Sequence, residues 1–413
     1  MKRAQLEANV LILVTLGLVA FGLVMVYSAT SARAAVGDGE PMQYLIRQTL
    51  FALAGLVALV VCARTPYTWW RRVAPTLVAL SILVLVAVLL VSHPVNGARR
   101  WVTIGPLTFQ PSEPAKLALV VWVAAYLSRA RTRPPQTLGE LAKPLGLVVG
   151  LSCGLILLEP DLGTAIAVTL MLGGMLIAAG TPFGLLARGG AIVAVLGVAA
   201  IWLEPYRRER ILSFFNPWSD AQGSGFQSVQ AMIGLGSGGV VGKGVGESIN
   251  KIFYLPEAHT DMIFAVIGEE LGLIGTAGVI AAFAAFCWAG LRIAVSSSDR
   301  FGALLATGIT VLIGAQAATN LAAVLGLAPV TGITLPFLSY GGSSLIVALA
   351  GVGILLNIAG GDVRARRAEV PDRGRRNRRT RAAVARSGGS VASPRRAGDV
   401  RRVARARRGA ARP

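Results

Sequence analysis

Acids and cations are scarce in this chain, so those that interrupt its apolar stretches stand out. The run Tyr254-Leu-Pro-Glu-Ala-His-Thr-Asp-Met-Ile-Phe-Ala-Val-Ile-Gly-Glu-Glu-Leu-Gly272 carries a polar loop straight into a long apolar helix. Glu257, His259 and Asp261 fall where loop meets helix, and Glu269 and Glu270 lie on the order of 12 Å deeper at 1.5 Å per residue. Carboxylates at such depth are costly and usually functional. A second run, Asn96-Gly-Ala-Arg-Arg-Trp-Val-Thr-Ile-Gly-Pro-Leu-Thr-Phe-Gln-Pro-Ser-Glu-Pro-Ala-Lys116, is turn-rich and enters a helix at Ser112. Pro114 suits a first helical turn, and the spacing puts Glu113 and Lys116 on one helix face. They form either a local ion pair or part of a site. Trp101 serves as an interface aromatic or as a platform for a sugar ring.

Cations recur beside these acids: Arg47, Arg99, Arg100, Lys116, Arg207, Arg208, Arg210, Lys243 and Lys251. Each can snorkel from a helix end, or together they can converge on a phosphate-bearing lipid. Asp161, after Glu159-Pro160 and before Leu162-Gly163-Thr164, is placed to cap a helix. The run 234–248 fails as a phosphate-binding P-loop, because Ser237 replaces the first glycine and Gly244 follows Lys243. Its glycines suit close approach to a ligand or plain flexibility. With two histidines and three cysteines, all three within apolar runs, neither a histidine-rich metal site nor a disulfide is argued.

Positioning these residues falls to apolar helices. The chain has 413 residues, 54% hydrophobic and 15% charged, and apolar runs long enough to cross a bilayer recur from Val10 to Ile358. The expected fold is an all-α polytopic membrane protein of about ten transmembrane helices, at roughly 10–30, 45–63, 75–92, 113–128, 144–158, 161–179, 184–203, 262–291, 303–325 and 341–360. The first run is too long for a cleavable signal peptide. Lys2, Arg3, Arg64, Arg71, Arg72, Arg129, Arg131, Arg133, Lys143, Arg188, Arg292 and Arg300 fall in loops of one side, which the positive-inside rule makes cytoplasmic. Both termini then lie inside, and the long loop 204–261 before the eighth helix lies outside. That loop starts with an amphipathic segment, residues 207–218, suited to an interfacial helix with Phe214, Phe215 and Trp218 toward the membrane. Residues 361–413 hold 18 arginines against four acids, a net +14 of the chain's +20. This tail lacks apolar periodicity and is expected to be disordered. It suits anionic membrane lipid, and nucleic acid poorly, since no aromatics interleave its arginines.

Five blocks in order resemble the SEDS family (shape, elongation, division and sporulation). They are Gly97-Ala-Arg-Arg-Trp101, Phe109-Gln-Pro-Ser-Glu-Pro-Ala-Lys116, Leu158-Glu-Pro-Asp-Leu-Gly-Thr164, Pro256-Glu-Ala-His-Thr-Asp-Met-Ile-Phe264 with Gly268-Glu-Glu-Leu-Gly272, and Phe337-Leu-Ser-Tyr-Gly-Gly-Ser-Ser344. The resemblance covers about residues 10–360. Ala258 is closer to the division branch than to the elongation branch, and Met262 departs from the usual Phe. The resemblance implies ten helices in a SEDS fold and a peptidoglycan glycosyltransferase of the inner membrane that polymerises lipid II on its outer face. It implies that Asp261 is catalytic and that Trp101, Glu113, Lys116 and Glu257 matter for function. A class B penicillin-binding protein transpeptidase is the implied partner, with other divisome proteins around it.

On that reading Asp261 acts as general base in a single inversion. Lys116, Arg47, Arg99 and Arg100 attend the leaving diphosphate, with a divalent cation (Mg or Mn) as an uncertain helper for which the sequence shows no cage. Glu113 orients Lys116, and residues 337–344, including Ser343, line the lipid groove. A lipid II flippase and a division scaffold are the competing readings. A flippase needs polar groups along a whole path through the bilayer, whereas here they gather at one end.

Overall fold

The computed structural model describes residues 2–35, 41–92, 100–104, 107–129, 134–248, 255 and 258–369. Arg99, Glu257 and the arginine-rich tail beyond residue 369 lie outside them, as do Lys251 and the start of the 254–272 run. The described residues up to Arg366 form one compact unit.

Long helices dominate: α1 (Lys2–Ala35), α2 (Pro41–Arg64) and α3 (Tyr67–Val91), then a two-stranded antiparallel hairpin, β1 (Val102–Ile104) with β2 (Leu107–Phe109). There follow α4 (Ser112–Leu127), α5 (Leu138–Leu141) running through a π-turn into α6 (Leu147–Leu158), α7 (Leu162–Ala179) and α8 (Phe183–Trp202). The long connection holds α9 (Pro205–Phe215) and α10 (Phe226–Ser237), and α11 (Ile263–Ser296), α12 (Arg300–Val324) and α13 (Gly342–Glu369) complete the bundle. Among the described residues nine segments are long and apolar enough to cross a membrane, so the chain is a multi-pass membrane protein. At 16 residues α4 is shorter than these, yet twelve of its residues are buried, including Ser112, Glu113 and Lys116. It occupies the place of the expected fourth span. The short hairpin before it has no counterpart among the elements expected from the sequence.

The core runs along α12, where Leu305, Ile309, Ile313 and Ala317 are buried among α4, α7 and α11. Helix α8 is the opposite case, with Leu185 its one buried residue. Its apolar sides therefore face lipid rather than protein. The amphipathic segment forms α9 as expected, and Phe215 and Trp218 stay exposed, free to meet lipid.

Helix α11 is two helices end to end. Gly272 breaks it with φ 64° and ψ −155°, a conformation open essentially to glycine alone. The glycine-rich loop fills the break. The N–H groups of Lys243 and Gly244 donate to the carbonyls of Glu269 and Glu270, and those of Leu273 and Ile274 donate to Gly239 and Val240, all at 3.0–3.2 Å. Gly238 and Gly242 lie so close to the backbone at 268–271 that a Cβ on either would collide with it. Gly238 and Gly242 thus pack directly against the backbone of the broken helix. Within the bilayer freed backbone groups need such partners.

Candidate active site

Asp261 sits just before the first turn of α11, 8% exposed. Its main chain is fixed from α12. Asn320, itself buried, donates its amide to the carbonyls of Asp261 and Ile333, both at 2.7 Å. One side chain thereby ties the head of α11 to the connection between α12 and α13. In that connection Gly332 adopts φ +74°, and a Cβ there would lie 4.0 Å from Oδ2 of Asp261. Gly332 thus lies close to the carboxylate. The Thr260 hydroxyl lies 3.4 Å from Oδ1.

Three rings stand beside it. Tyr44 of α2, His259 and Tyr340 have centroids 5.2–5.4 Å apart, near the edge-to-face geometry aromatic quadrupoles favour. The Tyr340 N–H donates to the His259 carbonyl at 2.9 Å. Buried Gln48 holds the other side, donating to the Ser339 carbonyl at 3.2 Å and accepting from the Gly341 N–H at 3.4 Å. Burial pushes the Tyr340 phenol above its ordinary pKa, while a hydrogen bond from Arg47 and that cation's charge oppose the shift. Arg47 is exposed.

The N-terminus of α7 presses on the same connection, since a Cβ on Gly163 would collide with Ile333. Asp161 caps α7 as expected, accepting from the Thr164 N–H at 2.9 Å and hydroxyl at 2.8 Å. It also accepts from the Gln110 side chain at 3.2 Å, and the Gln110 N–H donates to Ser343 at 3.1 Å. Ser343 is thus buried and engaged in holding the hairpin. Glu159 is fully buried, and among the described residues neither of its oxygens has a hydrogen-bond partner. Desolvation, reinforced by Asp161, raises its pKa to about 8 against the opposing charge of Arg100. Arg100 and Trp101 are half-buried.

Several of the cations singled out from the sequence are spent on structure. Lys116 is 1% exposed and bonds Glu113 at 2.9 Å. The pair lines a cavity of about 20 Å³ shared with Gln316 and Ser344, room for a single water. Lys243 pairs with Glu269 at 2.8 Å, and Ser248 donates to the same carboxylate at 2.6 Å. Ser28 bonds Glu270 at 2.6 Å. Both deep acids therefore anchor the glycine loop and α1. Arg207 donates to the carbonyls of Ala200 and Leu157, and Arg210 to that of Val330. Among the described residues of that set, Arg47 and Arg208 are exposed and Arg100 is half-buried. Among those residues, too, no group of three or more His, Cys, Asp and Glu side chains comes together that could hold a metal. The divalent cation considered from the sequence has no donor set among them, and no step is routed through one.

Gln48, Asn320 and Gly332 were not singled out from the sequence. A lone amide inside an apolar helix was the available signal for Gln48 and Asn320, because such groups need partners away from water.

The profile of the cell cycle protein family of FtsW, RodA and SpoVE matches residues 8–362. The chain belongs to the FtsW/RodA/SpoVE family. Within the family, a probable peptidoglycan glycosyltransferase FtsW of Halomonas elongata is 41% identical over 366 residues, 87% of this chain and 92% of its own. Another, of Trichlorobacter lovleyi, is 42% identical over 354 residues, 85% of this chain and 93% of its own. A solved peptidoglycan synthase complex, described as structurally coordinating polymerization and crosslinking, matches with TM-score 0.71 at 33% identity over 85% of this chain and 97% of that one. The rod shape determining protein RodA of Thermus thermophilus matches with TM-score 0.63 at 29% identity, over 85% and 96%.

Proposed function

We propose that Asp261 is the general base of a lipid II polymerase working in septal wall synthesis. The chain is a peptidoglycan glycosyltransferase of the FtsW/RodA/SpoVE family, and the reading concerns how its residues divide the work. The observation that carries it is the clamped Asp261 close to Gly332 at the head of α11. The acceptor's 4-hydroxyl gives its proton to Asp261 as its oxygen attacks C1 of the growing chain's terminal sugar. The bond from C1 to undecaprenyl diphosphate breaks on the opposite face, so one inversion turns an α-linked donor into a β-1,4 product. No covalent sugar–enzyme bond is needed. A base within hydrogen-bond reach of the acceptor contributes about 10²–10⁴-fold to rate.

The departing diphosphate needs cations that can reach it. Arg47 on α2 and Arg100 at the hairpin are the proposed ones, while Lys116 is held by Glu113. Arg99 and Glu257 are proposed to act with them on the substrate. The Tyr44–His259–Tyr340 cluster and Trp101 offer ring faces to the disaccharide. On this reading both termini lie in the cytoplasm and the site on the outer face, which the bias of Lys and Arg in the short loops supports. The transpeptidase partner is a class B penicillin-binding protein.

The test is lipid II polymerisation by the purified protein with its cognate transpeptidase, run beside Asp261→Asn. A glycan ladder that disappears in the variant supports the assignment. A ladder of unchanged intensity removes Asp261 from the chemistry.

A further inference from the structure

At the end of the bundle opposite Asp261, a groove of about 460 Å³ lies between α7, α11 and α12. Gly174, Ala178, Ala294 and Ala303 give it room, and Ile177 and Val295 expose their side chains along it. From Arg300 at its mouth to Val311 at its far end α12 rises about 16 Å, close to the ~15 Å depth of one leaflet of hydrocarbon. The polar atoms inside are already satisfied. The Ser297 hydroxyl donates to the Asp299 carbonyl at 3.3 Å, and that of Thr307 to Ala303 at 2.9 Å.

The mouth differs. Arg300 is exposed and makes no ion pair among the described residues, whereas Arg292 nearby is matched with Glu7 at 3.2 Å. The neighbouring acid, Asp299, turns its carboxylate to the Gly302 N–H at 3.3 Å to cap α12. An apolar trough one leaflet deep, ending at an exposed guanidinium, has the chemistry of a phospholipid: acyl chain within, phosphate at the fork.

We propose that this groove is a binding site for an anionic glycerophospholipid of the cytoplasmic leaflet, its chain along Gly174, Ala178 and Ala303 and its phosphate on Arg300. The assignment rests on the proposed orientation and is independent of the catalytic role of Asp261. A zwitterionic lipid fills the trough equally well but adds no net charge for Arg300. One basic residue near an anionic headgroup gives about fivefold preference at equilibrium.

The test is native mass spectrometry of the full chain in detergent, titrated with dioleoyl phosphatidylglycerol or dioleoyl phosphatidylethanolamine. Wild type is expected to take up phosphatidylglycerol more readily, with Arg300 adding about fivefold to whatever preference the tail arginines give. Arg300→Gln should therefore lower the ratio about fivefold from the wild-type value, Ala178→Trp should lower uptake of both lipids, and Arg188→Gln should match wild type. An unchanged ratio in Arg300→Gln, or unchanged uptake in Ala178→Trp, overturns the proposal. So does a preference for undecaprenyl phosphate over phosphatidylglycerol, or occupation by a second protein chain that leaves no bound lipid.

Discussion

Asn320 reaches across from α12 to the main-chain carbonyl of Asp261, at 2.7 Å. The contact fixes the backbone of the proposed base and leaves its carboxylate untouched. Because the same amide serves Ile333, its loss strands two carbonyls at once. Asn320→Leu should lower stability by about 1–3 kcal/mol and cut kcat more than KM, because the base loses its aim while the cations keep theirs. Thermal unfolding and lipid II polymerisation kinetics check both parts. An unaltered kcat would leave Asn320 with a purely structural role.

The buried Glu113–Lys116 pair makes an asymmetric prediction. Glu113→Ala strands an ammonium that is 1% exposed, at a cost of about 3–5 kcal/mol. Replacing both partners, as Glu113→Gln with Lys116→Met, should cost less than that single change. A double-mutant cycle on the thermal midpoint measures the coupling, and a double variant less stable than the single would contradict it.

Glu159 gives a dependence on pH whose sign follows from its environment. Its folded pKa of about 8 lies above the ordinary carboxylate value, so the folded state holds a proton that the unfolded chain releases. That contribution is fully present below about pH 4.5, fades as pH rises, and is gone above about 8. Stability should therefore fall across this window, and Glu159→Gln, which stays neutral, should flatten the slope. Melting temperatures at a series of pH values decide it. Identical profiles for the two proteins would refute the assignment.

The glycine loop yields a contrast within one segment. Gly242 has φ +83° and no space for a Cβ, whereas Gly236 in α10 has open space around it. Gly242→Ala should destabilise by more than ~1 kcal/mol, and Gly236→Ala should be neutral or stabilising by about 0.4–1 kcal/mol. Hydrogen exchange at the Leu273 and Ile274 amides should quicken in the first variant only.

Much of the architecture was legible because membrane spans announce themselves by length and composition. The cap at Asp161 and the Glu113–Lys116 pair were readable from local spacing, since both interactions close within three residues. What stayed hidden was long-range. Nothing near Asn320 in the sequence points to Asp261, 59 residues away. Depth in the membrane marked Glu269 and Glu270 as functional, and it did so for the wrong reason: their partners, Lys243, Ser248 and Ser28, make them anchors. Likewise the sequence left snorkelling and convergence both open for the cations, and it is the fold that gives Lys116, Arg207, Arg210 and Lys243 partners within the chain.

The break at Gly272 has a mechanical consequence. The short half of α11, from Ile263 to Leu271, is bolted to residues 239–244 at one end and to Asn320 at the other. It is thus a separate strut, splinted to the longer half by the loop that also holds Leu273 and Ile274. A load applied to the connection that bears α9 and α10 meets α11 on both sides of the break, and reaches Asp261 through the shorter half.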